Sequence, residues 1–149
     1  MLGGATTKGA WLGTPRLKAL GETPADITFT THTCAYMESY HSWGTDALYH
    51  YIIVDGPGTI VDAGATAATD EEIEAIAAEP NTDKQVLVKM NSNMAADKTP
   101  LNDWNLTTEH VVKIEGATQD TRIKIMNLKD LSKLPHARLC VDDVLVTKD

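Results

Sequence analysis

The 149-residue chain is 42% apolar, enough for one ordinary hydrophobic core, which excludes a string of domains. Charged residues make up only 23%, too few for a chain kept disordered by low hydrophobicity and self-repulsion. With 13 Lys and Arg against 21 Asp and Glu, the net charge of -8 argues against neutralising nucleic-acid phosphates as a main role, so no direct nucleic-acid partner is expected.

The first residues, Met1 to Gly13, hold no apolar run long enough for a signal peptide, and no window reaches the roughly 18 apolar residues of a membrane helix. A soluble chain made in the cytoplasm, with no membrane partner, is the expectation. Up to residue 25 the sequence is broken by Gly3, Gly4, Gly9, Gly13, Gly21, Pro15 and Pro24, yet it carries Trp11, Leu12, Leu17 and Leu20, which favour burial. Two readings follow: an extended arm over 1–25 that packs on another chain, or a loose terminus with a short helix from Pro15 to Leu20.

From Asp26 the pattern is that of strands. Ile27, Phe29 and Thr31 alternate with Thr28, Thr30 and His32, and β-branched residues dominate. Leu48 to Val54 and Thr59 to Ala63 flank Asp55-Gly56-Pro57-Gly58, a turn cluster that predicts a β-hairpin. Thr69 followed by Asp70, Glu71 and Glu72 is a capping box, and Ile73, Ile76 and Ala77 give the short helix behind it an apolar stripe before Pro80.

Gln85 to Met90 is a further strand candidate, and Asn91 to Asn105 has loop composition, with Trp104 as its anchor. Glu109 to Glu115, Thr121 to Asn127 and Arg138 to Thr147 complete the strands, and Leu128 to Leu134 has the makings of a helical turn ended by Pro135. The fold class is mainly β, with α+β as the alternative. The expected domain, residues 26–149, is an antiparallel sandwich or barrel-like body with one short helix and the N-terminal arm.

Cys34 and Cys140 are too few for a stapled secreted domain and are read as buried thiols, and the sequon Asn105-Leu106-Thr107 is idle without a secretory route. His32, Cys34, His41 and His50 fall close together, with atom types that zinc accepts, but the spacing lacks two close ligand pairs. No metal or cofactor is therefore assigned. No serine sits in a nucleophile elbow, and the Gly-rich start lacks the ordered ending of a phosphate loop. Asp142-Asp143 interrupts an apolar strand, as at a bulge or an edge guarded against unwanted pairing.

Five of the aromatic residues, Tyr36, Tyr40, Trp43, Tyr49 and Tyr51, crowd into one stretch, which suits either a core or a protein interface. The expected function is that of a non-enzymatic structural or assembly protein. It would work as a homo-oligomer or in a larger assembly such as a virus or phage particle, in a capsid-stabilising, connector or tail role. The interface would use Trp11, Leu12, Leu17, Leu20, Tyr36, Tyr40 and Trp43. The alternative is a small metal- or thiol-dependent hydrolase built on His32, Cys34, His41 and His50, and a small-ligand module comes third.

Overall fold

A computed structural model describes residues 9–36, 49–63, 66–67, 69–71, 74, 87–91, 108–128 and 138–149. Among them are nine strands: β1 (Gly9–Gly13), β2 (Ala25–Tyr36), β3 (Tyr49–Asp55), β4 (Thr59–Asp62), β5 (Thr66–Ala67), β6 (Leu87–Asn91), β7 (Thr108–Ala117), β8 (Arg122–Leu128) and β9 (Arg138–Lys148). They form two antiparallel sheets stacked as a sandwich, one in the order β1-β8-β3-β6-β5 and the other β4-β7-β2-β9.

Period-2 alternation places the core between the sheets. Ile27 and Phe29 of β2 and Val112 and Ile114 of β7 point inward and are buried, while Val111, Lys113 and Glu115 point out. Ile52 and Val54 of β3 and Ile123 and Ile125 of β8 meet them from the other sheet, with Ala117 and Leu139 completing the cluster. Each such large aliphatic or aromatic side chain contributes about 1.5–3 kcal/mol when taken from water. The five-stranded sheet is buried on its outer face too: Tyr51, Ile53, Lys124 and Met126 are each 2% exposed or less. Burial on both faces explains why β3 is a nearly continuous apolar run and not an alternating one.

The hairpin expected around Asp55-Gly56-Pro57-Gly58 is not formed. Both flanking strands exist, but β3 pairs with β6 and β8 while β4 pairs with β7, so the turn is a corner between the two sheets. Residues 118–121, between β7 and β8, make a second such corner. The corners touch: Thr121 Oγ1 donates to the Pro57 carbonyl, and an added Cβ at Gly56, where φ is 99°, would lie 2.4 Å from the Asp120 carbonyl oxygen. This close approach, together with positive φ at Gly56 and Gly58, requires the glycines that also suggested a hairpin.

From Gly9 the N-terminal segment is joined to its own chain. β1 pairs with β8 along its length, Thr14 N–H donates to the Ile123 carbonyl at 2.9 Å, and Leu17 N–H to the Thr121 carbonyl at 3.0 Å. A single 3-10 turn, Lys18–Leu20, stands in the Pro15–Leu20 stretch, and Leu17 and Leu20 pack half-buried on the core cluster. Asp70, Glu71 and Glu74 are helical and Thr69 directly precedes them. The apolar stripe expected of that helix, the loop expected to be anchored by Trp104 and the turn predicted before Pro135 fall on residues outside the described ones.

Candidate functional site

One side of the sandwich is open. The edge strands β1 and β9 do not seal the gap between the sheets, leaving a cleft of about 350 Å³. Phe29, Ile123 and Ile125 form its floor, Leu17 closes one end, and Leu12 and Val144 stand at its lips beside Val146. Thr14 is the polar residue in the wall, and its hydroxyl oxygen already accepts the Ile123 N–H at 3.1 Å. Along the two edges, Trp11, Leu12, Val144 and Leu145 are exposed by 39%, 43%, 43% and 55%. The site therefore offers apolar contact and backbone edge.

On the outer face of the five-stranded sheet sits a charge cluster centred on the buried Asp55 and Lys124, with Arg122 and Arg16 partly exposed around them. Arg122 and Lys124, two apart on β8, share a face, and register places Arg122 opposite Asp55 of β3. Arg122 Nε donates to Asp55 Oδ2 at 3.0 Å, Lys124 Nζ approaches the same oxygen at 3.0 Å, and Arg16 Nη2 lies 3.7 Å from Oδ1. Arg16 also donates to the carbonyls of Asp55 and Asp120, tying both corners together. The Trp11 ring lies 5.1 Å from Lys124 Nζ and 5.7 Å from the Arg122 guanidinium, a position left open because Gly13 has no side chain. Burial works to raise the Asp55 pKa, but hydrogen bonds and charge from Arg122 and Lys124 outweigh it and hold the carboxyl below its ordinary 3.8. A carboxylate so engaged is a structural anchor and not a proton acceptor.

A second polar group lies inside the sandwich. His50 of β3 and His110 of β7 meet edge to face with centroids 4.9 Å apart, and His110 Nε2 shares a 2.7 Å hydrogen bond with Thr33 Oγ1. Burial, and then the neighbouring His110, push the His50 pKa down to about 3; burial and then His32 lower that of His110. Both imidazoles are neutral near physiological pH.

His32 and His50 are not brought together. His32 faces outward on β2, 3.6 Å from Glu109 and 3.7 Å from Asp143, while His50 is fully buried in the other sheet. His41 lies outside the described residues. The position of Cys34 stands opposite that of Cys140 in the β2–β9 ladder, and Cys140 is buried. No group of three or more His, Cys, Asp or Glu among the described residues could hold a metal ion. Of the expected interface residues, Trp11 and Leu12 lie on the exposed β1 edge and Leu17 lines the cleft. Leu20 packs on the core cluster, Tyr36 ends β2, and Tyr40 and Trp43 lie outside the described residues. The edge strand bulges at Asp143 and Val144, between the His32–Asp142 and Thr30–Leu145 pairs, with Asp143 at φ 49°.

His110 and Lys124 were not singled out by sequence reasoning. For His110 a signal exists, since it shares the inward parity of Val112 and Ile114. For Lys124 none does, because an isolated lysine alternating with isoleucines reads as a solvent-facing residue.

The fold and this site define a two-sheet antiparallel β-sandwich protein with an open apolar edge. No protein-family model matches the chain, nor does any curated protein or solved structure. Among the described residues, no helix is long and apolar enough to cross a membrane.

Proposed function

We propose that this chain is a non-enzymatic structural protein, a β-sandwich that assembles with copies of itself or with other protein chains. The observation that supports the reading is the open side. Trp11, Leu12, Val144 and Leu145 are exposed along two adjacent edge strands, beside a cleft that reaches the core residues Phe29, Ile123 and Ile125. Apolar surface concentrated beside free strand edges is what a protein partner covers. The proposed setting is a virus or phage particle, in a capsid-stabilising, connector or tail role. β-Sandwiches serve viral capsids as they serve lectins, so the fold agrees with that setting without selecting it.

Sedimentation equilibrium of the full-length protein tests the reading. The expected mass exceeds the 16.2 kDa of one chain and rises with concentration, and Leu12→Asp, which charges the lip of the cleft, lowers it. A mass of one chain at every concentration, unchanged by the substitution, overturns self-assembly.

A further inference from the structure

We infer that the outer edge of β9 is the self-association surface, where two copies pair β9 to β9, antiparallel about a two-fold axis at Leu145, and extend the four-stranded sheet across a dimer. The inference rests on the assembly reading above and gives it a geometry.

β9 is terminal in its sheet, and no strand among the described residues lies beyond it. All of residues 142–145 and 147–149 are exposed. Such an edge presents a row of backbone N–H and C=O groups that template pairing with another strand. Leu145 is the most exposed of the large apolar residues at 55% and makes the natural centre of an isologous contact.

Charge selects the partner and the register. The edge carries Asp142 and Asp143 at one end and Lys148 at the other, where the neighbouring acid, Asp149, is turned back onto β2 and accepts the Thr28 hydroxyl at 2.8 Å. With the axis at Leu145, the leucine meets its own copy, Val144 in the bulge faces Val146, and Lys148 of each chain comes to the acids Asp142 and Asp143 of the other. Opposite charges thus meet at both ends of the ladder. A parallel pairing would instead set acid against acid and lysine against lysine. The same acids reject a foreign strand lacking a cation at that spacing, so the bulge guards the edge against other chains while admitting its own copy. Val144 and Val146 also line the cleft, so pairing here carries the second copy onto the apolar rim formed with Leu12.

Two charge variants of the full chain test the register. Lys148→Asp makes both ends of the edge acidic, and Asp142→Lys with Asp143→Lys makes both basic, so each variant alone repels its own copy while the two attract each other. Sedimentation is expected to show each variant falling from the wild-type dimer mass toward the 16.2 kDa of one chain, and an equimolar mixture recovering the dimer, with circular dichroism confirming that both are folded. Leu145→Lys, at an exposed position tolerant of substitution, should also lose that mass and keeps the test decisive if a charge variant misfolds. Wild-type mass in the charge variants and in Leu145→Lys, or folded charge variants that fail to associate when mixed, overturns the β9 pairing. Assembly that persists in all variants leaves the assembly reading intact and places its contact elsewhere, whereas a monomeric wild-type chain overturns self-association by any surface, the β9 pairing included.

Discussion

Lys124 Nζ lies 3.0 Å from Asp55 Oδ2, and the two side chains are 0% and 2% exposed. Taking both ions out of water costs several kcal/mol for each, so the pair holds only because its geometry is good and Arg122 adds a second donor to the same carboxylate. The pair joins β3 to β8, and Arg16 extends the cluster to the segment between β1 and β2.

Asp55→Ala takes the carboxylate away from the buried Lys124 and the partly exposed Arg122. The expected loss is about 3–5 kcal/mol, read as a shift of the urea midpoint at neutral pH. A loss under about 1 kcal/mol would mean that the cations find other acceptors and that Asp55 does not anchor the corner.

Acid should weaken the fold in two steps of different origin. His50 is held near a pKa of about 3, below its ordinary 6.5, so under pH 6.5 the unfolded chain takes a proton that the folded chain refuses. Stability therefore falls as pH drops from about 6.5 toward 3, by at most roughly 1.4 kcal/mol per pH unit, and His110 acts in the same direction. Asp55 contributes stability that is present above 3.8 and lost as pH falls through its lower folded value. Urea titrations at about pH 7, 5 and 4 should show the first step, and His50→Gln should flatten it. A His50→Gln profile as steep as the wild type would show that His50 is not its source.

Two glycines with positive φ should respond differently to alanine. At Gly21, φ is 74° and ψ is -167°, backbone that only glycine adopts readily, but no atom lies within 4 Å of an added Cβ, so Gly21→Ala costs that backbone strain alone, about 1–3 kcal/mol. At Gly56 the Cβ would also meet the Asp120 carbonyl at 2.4 Å, and Gly56→Ala should cost more, about 3 kcal/mol or above. The order of the two thermal midpoints is the measurement, and equal midpoints would deny contact between the corners.

Thr33→Val removes the 2.7 Å hydrogen bond to His110 Nε2 at nearly constant volume. Leaving that buried nitrogen without the hydroxyl should cost about 1–3 kcal/mol. A thermal midpoint equal to that of the wild type would show the hydroxyl to be dispensable.

The strands were legible because alternation is local: Ile27 and Phe29, or Val112 and Ile114, mark an inner face without reference to the rest of the chain. Sheet membership was not. Asp55-Gly56-Pro57-Gly58 has the composition of a hairpin turn, and only β7 and β8, far along the chain, decide that the strands on either side part into different sheets. The same limit hid Lys124, whose burial depends on the outer face of its sheet being covered. Asp142-Asp143 was legible as an irregularity, a bulge being one of several readings, because adjacent acids in an apolar strand conflict with regular pairing, and the ladder puts the bulge at Asp143 and Val144.

The ladders of β2 have a consequence for how the protein is made. Thr28 Oγ1 bonds to Asp149, 121 residues further along, and β2 lies between β7 and β9. During synthesis β2 leaves the ribosome well before either neighbour, so this sheet closes only after residues 138–148 have emerged. A topology dominated by such distant pairings folds in the millisecond-to-second range, and until then both edges of β2 are open to other nascent chains. Newly made protein should therefore depend on holding chaperones more heavily than the stability of the finished sandwich would suggest.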